Sequence, residues 1–364
     1  MKKVLVFSYL PRHLKKILSV VKEFLKDNRI EVTLVFMTQE ERKIAIQENI
    51  PYKMLDEFTS KKRMQDFDLA WGIEPLIHAI ESIKPDLFIA MEVNYILRNA
   101  IRFCKLNSIP NIVIQHGTPN DFSLHAFAPF EGDCFLAWGE FTKEYLIKNY
   151  VDENKIILTG GIPFDGLREI IPNRKNIAKE IGCDPTKKWF VFTTQGTGAG
   201  GKPSYEQIYD GVVETAKFIS QCRSSELIYQ VHPNQDIKEI QEILNTVDSK
   251  NCYVTKYNFT EELIAASEGM ITFFSTTAID CTLLGKPLLL INLNGDENFL
   301  PFAKMGAAFL AISKTEIKDV FQRMYNDSSI LVEKQKKAAK YVNFKNDGKA
   351  LSRVMKVCYQ KLKI

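Results

Sequence analysis

The chain has 364 residues, of which 45% are hydrophobic and 25% charged, enough for two domains with cores of their own in a water-soluble protein. A formal net charge of +4 is too small to imply nucleic-acid binding, and no apolar run reaches the roughly 18–20 residues that span a bilayer. Seven scattered cysteines without a CxxC pair read as buried, reduced thiols of a cytoplasmic protein, not as a zinc site or disulfide framework.

In chain order, Lys3–Tyr9 reads better as a buried first strand than as a signal peptide, since Pro11 and the basic residues after it interrupt the apolar run. Leu14, Ile17, Leu18, Val21 and Leu25 follow at helical spacing, which puts His13 at the surface or the edge of the core. Strands are expected at Glu31–Met37, Asp86–Met91, Asn111–Gln115, Cys134–Ala137 and Lys155–Leu158, with a helix through Asn99–Leu106. The second half predicts strands at Trp189–Thr194, Glu226–Val231, Cys252–Thr255, Gly269–Phe274 and Leu288–Asn292. Helical segments at Tyr205–Gln221, Ile237–Val247 and Glu261–Ala266 alternate with them. The fold class is therefore α/β, with two Rossmann-like domains spanning residues 1–170 and 171–364, the last helix being free to pack back on the first. Basic clusters at Arg12, Lys15, Lys16 and Lys22 and within Glu333–Ile364 read as solvated helix faces, with weak peripheral contact to anionic lipid as the sharper alternative.

In such folds ligands lie beyond the carboxyl ends of strands, where the unusual polar residues of this chain fall. The segment Ile271–Leu293 reads as strand, hydroxyl-rich turn, helix and second strand. Ser275, Thr276 and Thr277 stand where the helix begins, as a seat for phosphate. Thr277 with Asp280 matches a capping box, and Asp280 is placed to accept from a ribose diol. Gly196 to Lys202 nearly spells a phosphate loop, but Pro203 replaces the hydroxyl that would hold magnesium. A flexible loop over a diphosphate, with Gly196, Gly198 and Lys202, is what remains of that motif, beside a plain surface loop. His116 and His232 each follow a strand, one in each half, where a cleft between the domains would bring both to one ligand. Glu92 and Asp121 are strand-end carboxylates, and periodicity does not choose between them as base. No Asp-x-Asp cluster stands at the end of an expected strand, and neither a tight His/Asp/Glu ligand set nor a cysteine metal spacing occurs, so no metal and no cofactor are expected.

The segments IPNIVIQHG, LAWGEFTKEYL, TGGIPFDGL, YQVHPN, FFSTTAIDCTLLGKPLLLINL and NDGKALSRV occur in this order over nearly the whole chain. Together they resemble the GT-B superfamily, in particular capsule-polysaccharide transferases of the Kdo and polysialic acid type and CDP-glycerol glycerophosphotransferases. The resemblance implies two domains facing across a cleft, the second holding a CMP-, CDP- or UDP-linked sugar. Ser275, Thr276, Thr277 and Asp280 would bind its phosphates and ribose, with His232 from the HP element and His116 from the HG element. The implied activity is sugar transfer to a glycan or lipid-linked acceptor in building a cell-surface polysaccharide. Polyol-phosphate transfer, a UDP-N-acetylglucosamine 2-epimerase-like reaction and a nucleotide-sugar-binding protein without turnover are its alternatives.

Overall fold

A computed structural model describes residues 1–61, 70–197, 202–293, 295 and 300–364. The chain forms two compact units, Met1–Asp165 with Asn343–Ile364, and Gly166–Val342. The sequence had suggested a division between residues 170 and 171.

The first unit is built on seven parallel strands: β1 (Lys2–Ser8), β2 (Ile30–Phe36), β3 (Tyr52–Met54), β4 (Leu87–Ala90), β5 (Asn111–Ile114), β6 (Cys134–Ala137) and β7 (Ile156–Leu158). Their spatial order is β3-β2-β1-β4-β5-β6-β7. The apolar runs of β4, β5 and β6 are buried at every position, because helices cover both faces of a parallel sheet. Alternate residues divide between two cores: Leu5, Phe7, Phe88, Ala90 and Val113 line one, Val4, Val6, Leu87, Ile89 and Ile112 the other.

The second unit repeats the plan with β8 (Lys188–Thr193), β9 (Ser225–Gln230), β10 (Cys252–Thr255), β11 (Gly269–Thr272), β12 (Leu288–Ile291) and β13 (Phe309–Ala311). These are parallel in the order β10-β9-β8-β11-β12-β13. In each sheet the chain runs outward from a central strand and returns to that strand's other side. The order thus reverses between β1 and β4, and between β8 and β11. A crevice opens at such a reversal, which makes it the expected ligand position. Strands β3 and β13 were not expected; each is a three-residue edge strand with an exposed central residue, Lys53 and Leu310.

The last helix, Ala350–Leu362, belongs to the first unit: Val354, Met355, Val357, Cys358 and Leu362 join its core. The turn after β7 holds it there. Asp165 accepts the backbone N–H groups of Ala350 and Leu351, both at 2.8 Å, and so caps a helix far along the chain. Asn343 Oδ1 accepts the Gly161 N–H at 2.8 Å, and Arg353 Nε donates to the Thr159 carbonyl at 2.6 Å. The left-handed residue of this turn is Gly160, at φ +78°, while a Cβ on Gly161 would lie 2.6 Å from the Phe164 ring. Asp165→Ala is expected to cost about 1–2 kcal/mol in chemical denaturation, the usual cost of losing a helix cap, and Asp165→Asn less.

Candidate functional site

At the reversal in the first sheet, three titratable side chains meet. His13 lies in the first turn of the helix Pro11–Leu25, just after β1; Glu92 follows β4 and His116 follows β5. His13 is 1% exposed and Glu92 4%, while the His116 side chain retains 15% exposure, so the cluster is sealed except past His116. Glu92 Oε2 stands 3.7 Å from the Nε2 atoms of both His13 and His116. That spacing exceeds a hydrogen bond, so the three atoms surround a point without bonding to one another.

Each side chain is held from behind. Tyr9, one residue beyond β1, donates its hydroxyl to Glu92 Oε1. His116 Nδ1 lies 3.0 Å from the Met91 carbonyl and, as donor there, leaves the Nε2 lone pair facing Glu92. The His116 ring stacks on Phe127 at 5.1 Å between centroids and meets His13 at 4.9 Å. Its turn is pinned by Gln115, which accepts the Trp138 N–H at 2.6 Å and donates to the Gly117 carbonyl at 2.8 Å. Burial lowers the His116 pKa to about 3, assisted by the charge of Lys16. Burial also takes His13 to about 2, with His116 and Arg12 adding to it. Both rings are therefore neutral near pH 7, and their 3.7 Å approaches to Glu92 are not ion pairs. Burial raises the Glu92 carboxyl above its usual range, against the Tyr9 hydrogen bond that lowers it.

His13 was expected at the surface or core edge. It is buried, because the helix enters directly from β1 and turns its first face onto the strand ends. Tyr9 was not anticipated either; the signal was a polar aromatic at a strand's carboxyl end, one helical turn before a histidine. Asp121 is not among the three. It is exposed, at the start of the short helix Asp121–Ala126, and accepts from the Tyr145 hydroxyl at 3.4 Å.

At the reversal in the second sheet the side chains are hydroxyls and amides. Thr277 Oγ1 lies 2.8 Å from Ser275 Oγ and 3.1 Å from Thr193 Oγ1, joining the ends of β11 and β8. Gln195 Oε1 accepts the Phe274 N–H at 2.9 Å across the same junction. The capping box expected between Thr277 and Asp280 is not formed. Thr276 occupies the cap position without a side-chain bond, and Ser275 Oγ accepts the Thr277 N–H, because the Thr277 hydroxyl is engaged with Thr193. Thr276 is exposed; Ser275, Thr277 and Asp280 are half-buried.

One strand over, beyond β9, His232 is exposed and its Nδ1 accepts the Asn234 N–H at 3.2 Å. In the neutral ring this puts the proton on Nε2, which can donate. The protein around the ring, then the charges of Lys202 and Lys256, lower its pKa. Lys202 is exposed, Gly196 half-buried with open space where a Cβ would be, and Gly198 lies outside the described residues.

No family model matches the chain, and no curated protein does. Solved structures do. The UDP complex of MnaA from S. aureus superposes with a TM-score of 0.72 at 14% identity, over 100% of this chain and 97% of that one. A UDP-GlcNAc 2-epimerase from Neisseria meningitidis, bound to UDP-GlcNAc, gives 0.67 at 18% identity, over 99% and 100%. A glycosyltransferase from Rickettsia africae gives 0.64 at 13%, over 100% and 99%. The fold is of the GT-B type. Among GT-B proteins these neighbours include both glycosyltransferases and sugar-nucleotide epimerases, so the likeness fixes architecture and leaves the chemistry to the side chains. Among the described residues no helix is long and apolar enough to cross a membrane.

Proposed function

We propose that the protein moves a sugar from a nucleotide-activated donor onto a hydroxyl of a glycan acceptor, in the assembly of a cell-surface polysaccharide. The observation that carries this reading is the pair of strand-order reversals. One holds a buried His–Glu–His cluster suited to activating a hydroxyl, the other a hydroxyl and amide network with cations nearby, suited to a nucleoside diphosphate. The fold shared over the full chain with proteins solved with UDP and UDP-GlcNAc supports it.

In this reading Ser275, Thr276 and Thr277 meet the donor phosphates and Asp280 the ribose, with His232 donating from Nε2 and Lys202 supplying charge. The Glu92–His116 pair receives the proton of the acceptor hydroxyl as that oxygen attacks the anomeric carbon. The bond to the nucleotide's phosphate oxygen breaks, and the leaving nucleotide, a di- or monophosphate according to the donor, is stabilised by the second unit's donors. Ser275→Ala and Thr277→Val are each expected to weaken nucleotide affinity about fivefold, one neutral hydrogen bond, by calorimetric titration. Unchanged affinity in both would remove the nucleotide from this position.

A second reading, epimerisation of a UDP-sugar, is favoured by the fold match to the Neisseria enzyme over its entire length. Product analysis separates the two. Purified protein with UDP-, CDP- or CMP-linked sugars should consume donor and release nucleotide faster when a polysaccharide acceptor is added. Conversion of UDP-GlcNAc to its 2-epimer without acceptor would establish the second reading instead. No consumption of any donor, with or without acceptor, would defeat both.

A further inference from the structure

We propose that His13, Glu92 and His116 bind a divalent transition-metal ion, zinc foremost, a site that the spacing of these residues in the sequence did not suggest. The three candidate donor atoms lie within 4.8 Å of one another, the one such set among the described residues. Around a tetrahedral zinc with bonds of about 2.0–2.1 Å, ligand atoms stand roughly 3.3 Å apart. The 3.7 Å separations of Glu92 Oε2 from each imidazole Nε2 need to close by only a few tenths of an ångström.

An independent observation points at the same spot. His13 Nε2 is buried without a hydrogen-bond partner, on a side chain 1% exposed. An orphaned polar atom in a core costs stability unless something not made of protein completes it. The outer contacts of the cluster are those of a metal site. The His116 Nδ1 contact with the Met91 carbonyl fixes the tautomer that aims Nε2 inward. Tyr9 occupies Glu92 Oε1 and leaves Oε2 as the ligand oxygen. Two imidazoles and one carboxylate suit zinc with a fourth position open, whereas calcium and magnesium prefer all-oxygen sets. An ion there would lower the pKa of a hydroxyl or water in the open position. With the ion bound, His116 Nε2 and Glu92 Oε2 would be its ligands, and a hydroxyl in the open position would give its proton to solvent in place of direct transfer to that pair; the site itself rests only on the three side chains and not on the reaction.

The test uses the full chain and zinc alone, without nucleotide or sugar. Protein stripped with a chelator and dialysed is titrated with zinc against a chromophoric competitor, and bound metal is counted by mass spectrometry. Cobalt replaces zinc for a visible spectrum of ligand geometry. The expected result is about one equivalent per chain, a tetrahedral-type cobalt spectrum, and loss of that equivalent in His13→Asn and Glu92→Gln. Tyr9→Phe keeps every ligand and should weaken zinc roughly 10–100-fold, as loss of an outer-shell partner does. It decides the matter if either ligand variant fails to fold. Less than one equivalent in the native chain would overturn the proposal and leave water as the partner of His13. Zinc retained undiminished in all three variants, or lost in His232→Ala, would equally overturn it by placing the ion elsewhere.

Discussion

Replacing His116 by alanine is expected to lower turnover by about 10²–10⁴ while nucleotide affinity stays within about twofold of the native value. His116 is the one member of the buried cluster with appreciable exposure, so it is the group an acceptor would meet first. Its Nε2 faces Glu92 and its Nδ1 is committed to the Met91 carbonyl, so alanine removes both a reactive atom and the anchor that aims it. Glu92→Gln should fall in the same range, since it keeps the contact with Tyr9 in shape but discards the charge. Steady-state kinetics and calorimetric titration with nucleotide, on the same preparations, give the two quantities. Loss of nucleotide affinity in step with turnover would show that the cluster grips the donor, and would move the acceptor elsewhere.

Replacing His232 by alanine should do the opposite. A hydrogen bond to a charged phosphate is worth roughly 1.5–3 kcal/mol, so nucleotide Kd should rise about 10–150-fold. The ring's proton sits on Nε2 because Nδ1 accepts from Asn234, and Lys202 and Lys256 act on the same place. The variant should fold as the native chain does, the side chain being exposed. Saturating donor should restore much of the turnover, a KM effect with a modest kcat effect. An unchanged Kd would dismiss His232 from the donor site.

Much of the fold was legible because parallel strands buried on both faces are short, continuous apolar runs; Cys134–Ala137, buried throughout, carries the expected bounds. The edge strands at Tyr52–Met54 and Phe309–Ala311 were not expected; each has an exposed central residue, Lys53 and Leu310, but length is not the reason, since the equally short edge strand Ile156–Leu158 was expected. Of the site, Glu92 and His116 stood out as polar residues ending apolar strands. His13 did not, since its helix shows an amphipathic pattern in which a histidine one turn from the start reads as a flank. Its partner Glu92 is distant in sequence, and only the placing of β1 beside β4 brings them together. The Thr277–Asp280 pattern misled because local capping competed with a long-range hydroxyl contact to Thr193 and lost. Asp121 lies outside the cluster, since strand-end position alone says nothing of direction, and it accepts from the Tyr145 hydroxyl.

The central claim, that this GT-B chain holds a nucleotide-activated donor, is tested most directly by melting the protein with CMP, CDP, UDP and GDP in turn. A ligand at about a hundred times its Kd stabilises the native state by roughly 2.7 kcal/mol. For units of this size each kcal/mol moves Tm by about 2–4 °C, so the rise should approach 5–10 °C. The account predicts such a rise with a pyrimidine nucleotide, reduced in Ser275→Ala and His232→Ala but kept in His116→Ala. A flat response to all four nucleotides would contradict it.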